Sequence, residues 1–380
     1  MANANNPLRE LHKFGQSFWY DSLSRDMIAN GDLKRMVEDD GLRGITSNPT
    51  IFQQAIASSS LYDETIEREG RKGKNKEEIF DVIAQKDIQD ACDILRPVYD
   101  ASHGTDGFIS LEENPHIAHD VKMSISEGYR LKELVNRPNL LVKVPATPAG
   151  IAATRELLVN GVSVNNTLMF SLDNYDAVAE TYISAMEERA KRGLPLDEIA
   201  SVASMFVSRI DSNIDGRIDG MLKTERDEVR RKELQVLRGK VAIANGKLCY
   251  LHYKQFFHSA RFKGLEEKGA RPQRVLTAST STKDPNFPDT YYVDALIAPE
   301  TVVTMAPATV PAFRDHGTPG NTMDQGVDAA MEAFRLAEKV GIDLNKTMQE
   351  LQDDGVGKFI ASYDDLLQAI EKKRKALVTA

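Results

Sequence analysis

Apolar positions along this chain follow two alternating rhythms. Short β-branched or aromatic runs are each followed by a stretch in which apolar residues recur every three to four positions. The runs predict strands at 17–20, 42–46, 107–111, 140–144, 162–164, 201–207, 274–278 and 294–298. Helical periodicity predicts helices at 33–39, 117–135, 150–158, 172–192, 215–247, 328–340 and 364–375. A buried strand followed by an amphipathic helix is the pattern of βα units on a parallel sheet. Eight such units predict the α/β class and one closed (β/α)8 barrel of the TIM type. Two stretches depart from the alternation. Residues 53 to 105 hold mostly helical material (60–69 and 76–98), which reads as a helical insertion after strand two. Residues 280–291, rich in Ser, Thr, Pro and Asp, read as a loop after strand seven. No repeat, low-complexity tract or linker interrupts the chain, so residues 1–380 are expected to form one barrel domain.

Composition narrows the picture. With 380 residues, 41% hydrophobic, the chain has ordinary globular balance and enough length for a large core. A net charge of −9 argues against nucleic acid as the main partner, while permitting a local cationic pocket for an anionic small molecule. Cys92 and Cys249 lie far apart and match no metal spacing, which points to a reducing compartment. Residues 1–7 lack the apolar core of a signal peptide, and no stretch has the length of a membrane span. A soluble cytoplasmic protein without membrane partners is expected.

The candidate chemistry starts from Lys143, alone in the apolar run Leu140-Leu141-Val142-Lys143-Val144-Pro145. Burying an ammonium is expensive, and desolvation favours the neutral amine, which attacks carbonyl carbons to give a Schiff base. Barrel enzymes place reactive groups at the C-terminal strand ends, and other polar residues fall at such positions here. Asp21 ends strand one, Thr46 and Asn48 end strand two, and Glu112 ends strand three. Asn165 and Thr167 follow strand five, Ser204 lies in strand six with Arg209 beyond it, and Ser279 follows strand seven with Lys283 further along its loop. Schiff-base cleavage of a sugar needs an amine, an acid to expel water and a base for a hydroxyl proton. Lys143 is assigned the amine, Glu112 and the Thr167 hydroxyl a proton-shuttling water, and Asp21 the base. Asn48 and Asn165, with Thr46 nearby, would orient substrate hydroxyls. Arg209 can fork onto a phosphate, with Lys283 as a second positive charge. Of the adjacent carboxylates, Glu112 is preferred because Glu113 faces the other way on an extended chain.

Two segments imitate other sites. Asp211 to Asp219 follows a calcium loop through nine positions, but Leu222 stands where its bidentate glutamate belongs. Gly355-Val356-Gly357-Lys358 lacks the upstream glycine and following hydroxyl of a phosphate loop.

The motifs resemble those of the transaldolase family. Gly44-Ile45-Thr46-Ser47-Asn48-Pro49-Thr50-Ile51-Phe52 is similar to its first signature, and Leu141-Val142-Lys143-Val144-Pro145-Ala146-Thr147 to the segment carrying its Schiff-base lysine. Ile109 to Glu112, Asn165 to Ser171 and Ser204 to Arg209 add matches in the family's order. The resemblance implies a (β/α)8 barrel, no cofactor and no metal. It implies transfer of a dihydroxyacetone unit from sedoheptulose 7-phosphate or fructose 6-phosphate to glyceraldehyde 3-phosphate or erythrose 4-phosphate. It assigns Lys143, Glu112, Asp21 and Thr167 to catalysis, and Asn48, Asn165, Ser204, Arg209 and Ser279 to substrate contacts. Many members carry an arginine two residues beyond that last serine. Here Ser281 stands there, leaving Lys283 as the nearest cation. Aldolase relatives, which release dihydroxyacetone, tend to carry Gln and Tyr where this chain has Glu112 and Phe206.

Overall fold

The computed structural model describes residues 6–378. Helix α1 (Pro7–Glu10) leads into β1 (Gln16–Tyr20), and α2 (Arg25–Ala29) and α3 (Asp32–Asp39) carry the chain to β2 (Gly44–Thr46). Three helices, α4 (Pro49–Ser58), α5 (Asp63–Arg71) and α6 (Lys76–Ala101), separate β2 from β3 (Phe108–Glu112). Regular alternation follows through α7 (Val121–Val135), β4 (Leu140–Pro145), α8 (Pro148–Val159), β5 (Val164–Met169), α9 (Leu172–Lys191) and β6 (Ser201–Phe206). Then come α10 (Ser208–Leu222), α11 (Glu228–Leu237), α12 (Val241–Phe257) and α13 (Ala260–Glu266) before β7 (Arg274–Ala278). A short α14 (Tyr291–Ala295) precedes β8 (Thr301–Met305), and α15 (Thr309–His316), α16 (Val327–Lys339) and α17 (Leu344–Val378) follow it.

All neighbouring strands are parallel, and β8 returns to β1 with Gln16 opposite Thr301 and Tyr20 opposite Met305, so the expected (β/α)8 barrel closes. Every residue of β3, β4, β5, β6 and β8 is buried, because helices cover the outside and side chains fill the inside. At the floor, the Trp19 ring lies over Gly44, where a Cβ would stand 2.4 Å from the indole. Arg274 closes that end by pairing with Asp106 at 2.9 Å and donating to Ser17 Oγ at 2.8 Å. Among the described residues, no helix is long and apolar enough to cross a membrane.

Several expected elements need correction. Residues 294–298 are not strand eight: they straddle the end of α14, and β8 is the β-branched run Thr301 to Met305 beyond Pro299. Strand five is not 162–164 with a polar loop after it. Asn165, Asn166 and Thr167 lie inside β5, where Asn165 bonds Ser110 and Asn166 donates to Thr154 Oγ1 at 2.8 Å. Partnered polar side chains can occupy a buried strand, so composition misled there. The helix expected at 215–247 is three helices. Asp227 caps α11, and Gly239, at φ 67°, turns the chain and donates its N–H to the Asp215 carboxylate at 3.1 Å. The calcium-loop mimic falls within α10, and the phosphate-loop mimic within α17, which extends far beyond the expected 364–375.

Candidate active site

Register brings the reactive groups to one mouth of the barrel. Lys143 on β4 sits between Glu112 on β3 and Asn165 on β5. It is 4% exposed, and its Nζ donates to Ser47 O at 3.1 Å and Glu112 Oε2 at 3.2 Å. Burial pushes the Glu112 carboxyl up to about 7, against the attraction of Lys143. Its other oxygen, Oε1, is buried without a partner among the described residues. Glu113 turns away, as strand alternation requires, and accepts from Ser124 Oγ at 3.1 Å. Burial pushes it up to about 8.

Asp21 is the first residue beyond β1, fixed by its N–H donating to Met305 O at 2.8 Å. The Thr46 hydroxyl donates to Asp21 Oδ1 at 2.6 Å and meets the Thr304 hydroxyl at 2.8 Å. A carboxylate held by two adjacent strand ends keeps a defined direction. Asn48 caps α4, its Oδ1 accepting the Ile51 N–H at 3.1 Å.

β5 carries an irregularity between Asn166 and Met169, with Leu168 at φ 57°. Such bulges re-aim side chains at barrel rims. Thr167 lies within the irregularity, and its buried hydroxyl has no partner among the described residues. Asn165 is fully buried below the mouth, donating to Ser110 Oγ at 3.0 Å and accepting from Ser204 Oγ at 2.6 Å.

Arg209, in the first turn of α10, stacks its guanidinium over Phe206 at 5.2 Å. Its Nη1 is buried without a partner among the described residues, and burial lowers its pKa from the ordinary value. Beside it the Ser208 and Ser279 hydroxyls lie 3.1 Å apart, with the Ser208 N–H donating to Ser279 O at 2.9 Å. A donor-rich helix start with an unpaired guanidinium suits an anion.

These groups border a cleft of about 430 Å³, mouth included. Asp21, Thr46, Asn48 and Lys143 line one part of it, and Thr167, Ser204, Arg209 and Ser279 another. Glu112 reaches it through Lys143, while the amide of Asn165 is taken up by Ser110 and Ser204. Lys283 is exposed on the loop after β7 and is not among the lining residues. The lining also includes Phe206, already compared with the tyrosine of the aldolase relatives, and Thr304, Ala278 and Phe359, which were absent from the expected site. Thr304 follows from strand alternation once β8 is placed at 301–305. Phe359 comes from α17, where Gln352, Gly355 and Phe359 share one face at i, i+3 and i+7. Among the described residues, no cluster of three His, Cys, Asp or Glu side chains is arranged to hold a metal.

A parallel barrel whose C-terminal mouth gathers a buried amine, two carboxyl groups and an unpaired guanidinium defines a class, that of TIM-barrel enzymes acting on small anionic substrates. Residues 18–370 match the family model described as Transaldolase/Fructose-6-phosphate aldolase. The chain is 45% identical over 380 residues to Transaldolase 2 of a Nostoc species, covering 98% of this chain and 99% of that protein. It is 44% identical over 374 residues to the Transaldolase of Trichodesmium erythraeum (98% of each), and 41% over 372 residues to that of Thermobifida fusca (98% and 99%). The chain belongs to the transaldolase/fructose-6-phosphate aldolase family.

Proposed function

We propose that this protein is a transaldolase, a transferase that moves a dihydroxyacetone unit between sugar phosphates of the pentose phosphate pathway. Its donor is sedoheptulose 7-phosphate or fructose 6-phosphate, and its acceptor glyceraldehyde 3-phosphate or erythrose 4-phosphate. The observation that carries this reading is Lys143 Nζ, buried at the barrel mouth and 3.2 Å from the Glu112 carboxylate. Lys143 attacks the donor's ketone carbon. Glu112, poised near neutral pH, and Thr167 hold the water that relays a proton to the carbinolamine oxygen, which leaves as water. Asp21, aimed by Thr46, takes the proton of the hydroxyl next to the breaking carbon–carbon bond. The electron pair of that bond moves into the iminium and leaves an enamine on Lys143. Asn48 and Ser204 face the sugar hydroxyls, with Asn165 orienting Ser204. Arg209 and the Ser279 hydroxyl take the phosphate.

The chain acts in this reading as one barrel unit. Its inserted helices, expected at 53–105, seat α17 over the mouth. The setting is cytoplasmic, in keeping with the buried free thiols of Cys92 and Cys249. Partners are small sugar phosphates, in keeping with Arg209 on an otherwise acidic chain.

The competing reading is a lyase that uses the same amine and releases dihydroxyacetone. Phe206 and Phe359 line the cleft without a hydroxyl that could hold a hydrolytic water, which favours transfer. Feeding fructose 6-phosphate with and without erythrose 4-phosphate separates the two. A transferase forms sedoheptulose 7-phosphate and releases little free dihydroxyacetone. Rapid release that ignores the acceptor would reject transfer.

A further inference from the structure

Phe359 stands closer to the reacting nitrogen than its place near the end of the chain suggests. Its ring centroid lies 5.4 Å from Lys143 Nζ, and the residue is 4% exposed. Gln352 holds α17 there by donating to Ala146 O and Leu168 O, each at 3.0 Å. Gly355 lets the helix approach, since a Cβ would stand 2.9 Å from Leu168 Cδ2.

An ammonium has three N–H bonds, and Ser47 O and Glu112 Oε2 accept two of them. When Nζ bonds to a ketone carbon and the carbinolamine loses its oxygen as water, the nitrogen stays positive but keeps a single N–H. It can then no longer donate to both acceptors. A ring face attracts a cation without needing a donor hydrogen, so its contribution survives the change. In the cleavage step the carbon–carbon electron pair neutralises the nitrogen as an enamine, and the attraction ends.

We propose that Phe359 holds the positive charge of the Schiff-base nitrogen, favouring the iminium over the enamine in the intermediate that waits for an acceptor. This rests on the Schiff-base reading of Lys143.

The test uses the full-length protein loaded with fructose 6-phosphate. Borohydride reduces the iminium, and hexacyanoferrate oxidises the enamine, so the two trapped yields give their ratio. Phe359 is replaced by mono-, di- and trifluorophenylalanine, which keep the ring's shape while draining its negative face. The ratio should fall stepwise, to roughly three- to tenfold below the unmodified protein. Phe359→Leu should fall comparably, and Phe359→Tyr should stay within about twofold. A flat ratio across the fluorinated series overturns the proposal, even where Phe359→Leu fails to fold. Absence of any borohydride adduct in the unmodified protein would instead defeat the Schiff-base reading, and this inference with it.

Discussion

Two adjacent glutamates face different surroundings. Glu112 points to Lys143, and its carboxyl, pushed up to about 7, can exchange a proton at neutral pH. Glu112→Gln should lower kcat by about 10² to 10⁴ and remove an alkaline decline centred near pH 7 from the rate profile. Glu113 touches Ser124, and burial pushes it from 4.5 to about 8. The folded state therefore binds its proton more tightly than the unfolded chain does. The associated stability is fully present below pH 4.5 and lost as pH rises towards 8. Glu113→Gln, which can still accept from Ser124, should flatten that decline. Melting temperatures from pH 5 to pH 8 should show the variant gaining on the parent, with its pH–rate profile unchanged. A parallel fall in both proteins would contradict the assignment.

At the scale of elements, α17 connects α4, α5 and α6 to the mouth of the barrel. Tyr363 packs edge-on against Phe80 at 5.9 Å, the Thr50 hydroxyl donates to Ser362 at 2.8 Å, and Lys373 pairs with Asp63 at 2.7 Å. These contacts fix the far half of the helix on α4, α5 and α6. Gln352 fixes the near half on the ends of β4 and β5. Gln352→Leu would leave the Leu168 carbonyl without its donor, at about 1–3 kcal/mol, while the Ala146 carbonyl keeps the Asn174 amide at 2.8 Å. Urea denaturation should report a lower midpoint, and kcat should fall several-fold as Phe359 loses its seat. Unchanged kcat in a destabilised protein would separate the helix from the chemistry. A second dependence lies at α8, where a Cβ on Gly150 would stand 1.9 Å from Pro145 O, two residues past Lys143. Gly150→Ala should displace that strand end and lower both melting temperature and activity, and equal values for both would refute the packing argument.

For the whole molecule, the barrel was legible because its strands are apolar runs set between helices of regular period. β7 fell at 274–278 as expected, and β4 extends the expected run by one residue. Failures came where local composition competed with tertiary partners. Asn165 and Asn166 read as loop because nothing nearby in sequence shows Ser110, Ser204 or Thr154 waiting for them. Residues 294–298 read as strand because an apolar run does not disclose which side of Pro299 pairs with β1. The site followed the same division. Asp21, Thr46, Lys143 and Ser279 reach the cleft from strand ends, where position alone points to them, whereas Phe359 arrives through a helix more than two hundred residues from Lys143. Lys283 was chosen by nearness in sequence, and its loop leaves it exposed outside the cleft. The most direct test of the central claim is peptide mapping after borohydride reduction in the presence of fructose 6-phosphate. A dihydroxyacetone-derived adduct should form on Lys143 and be absent from a folded Lys143→Ala variant, whereas an adduct on another lysine, or none, would contradict the account.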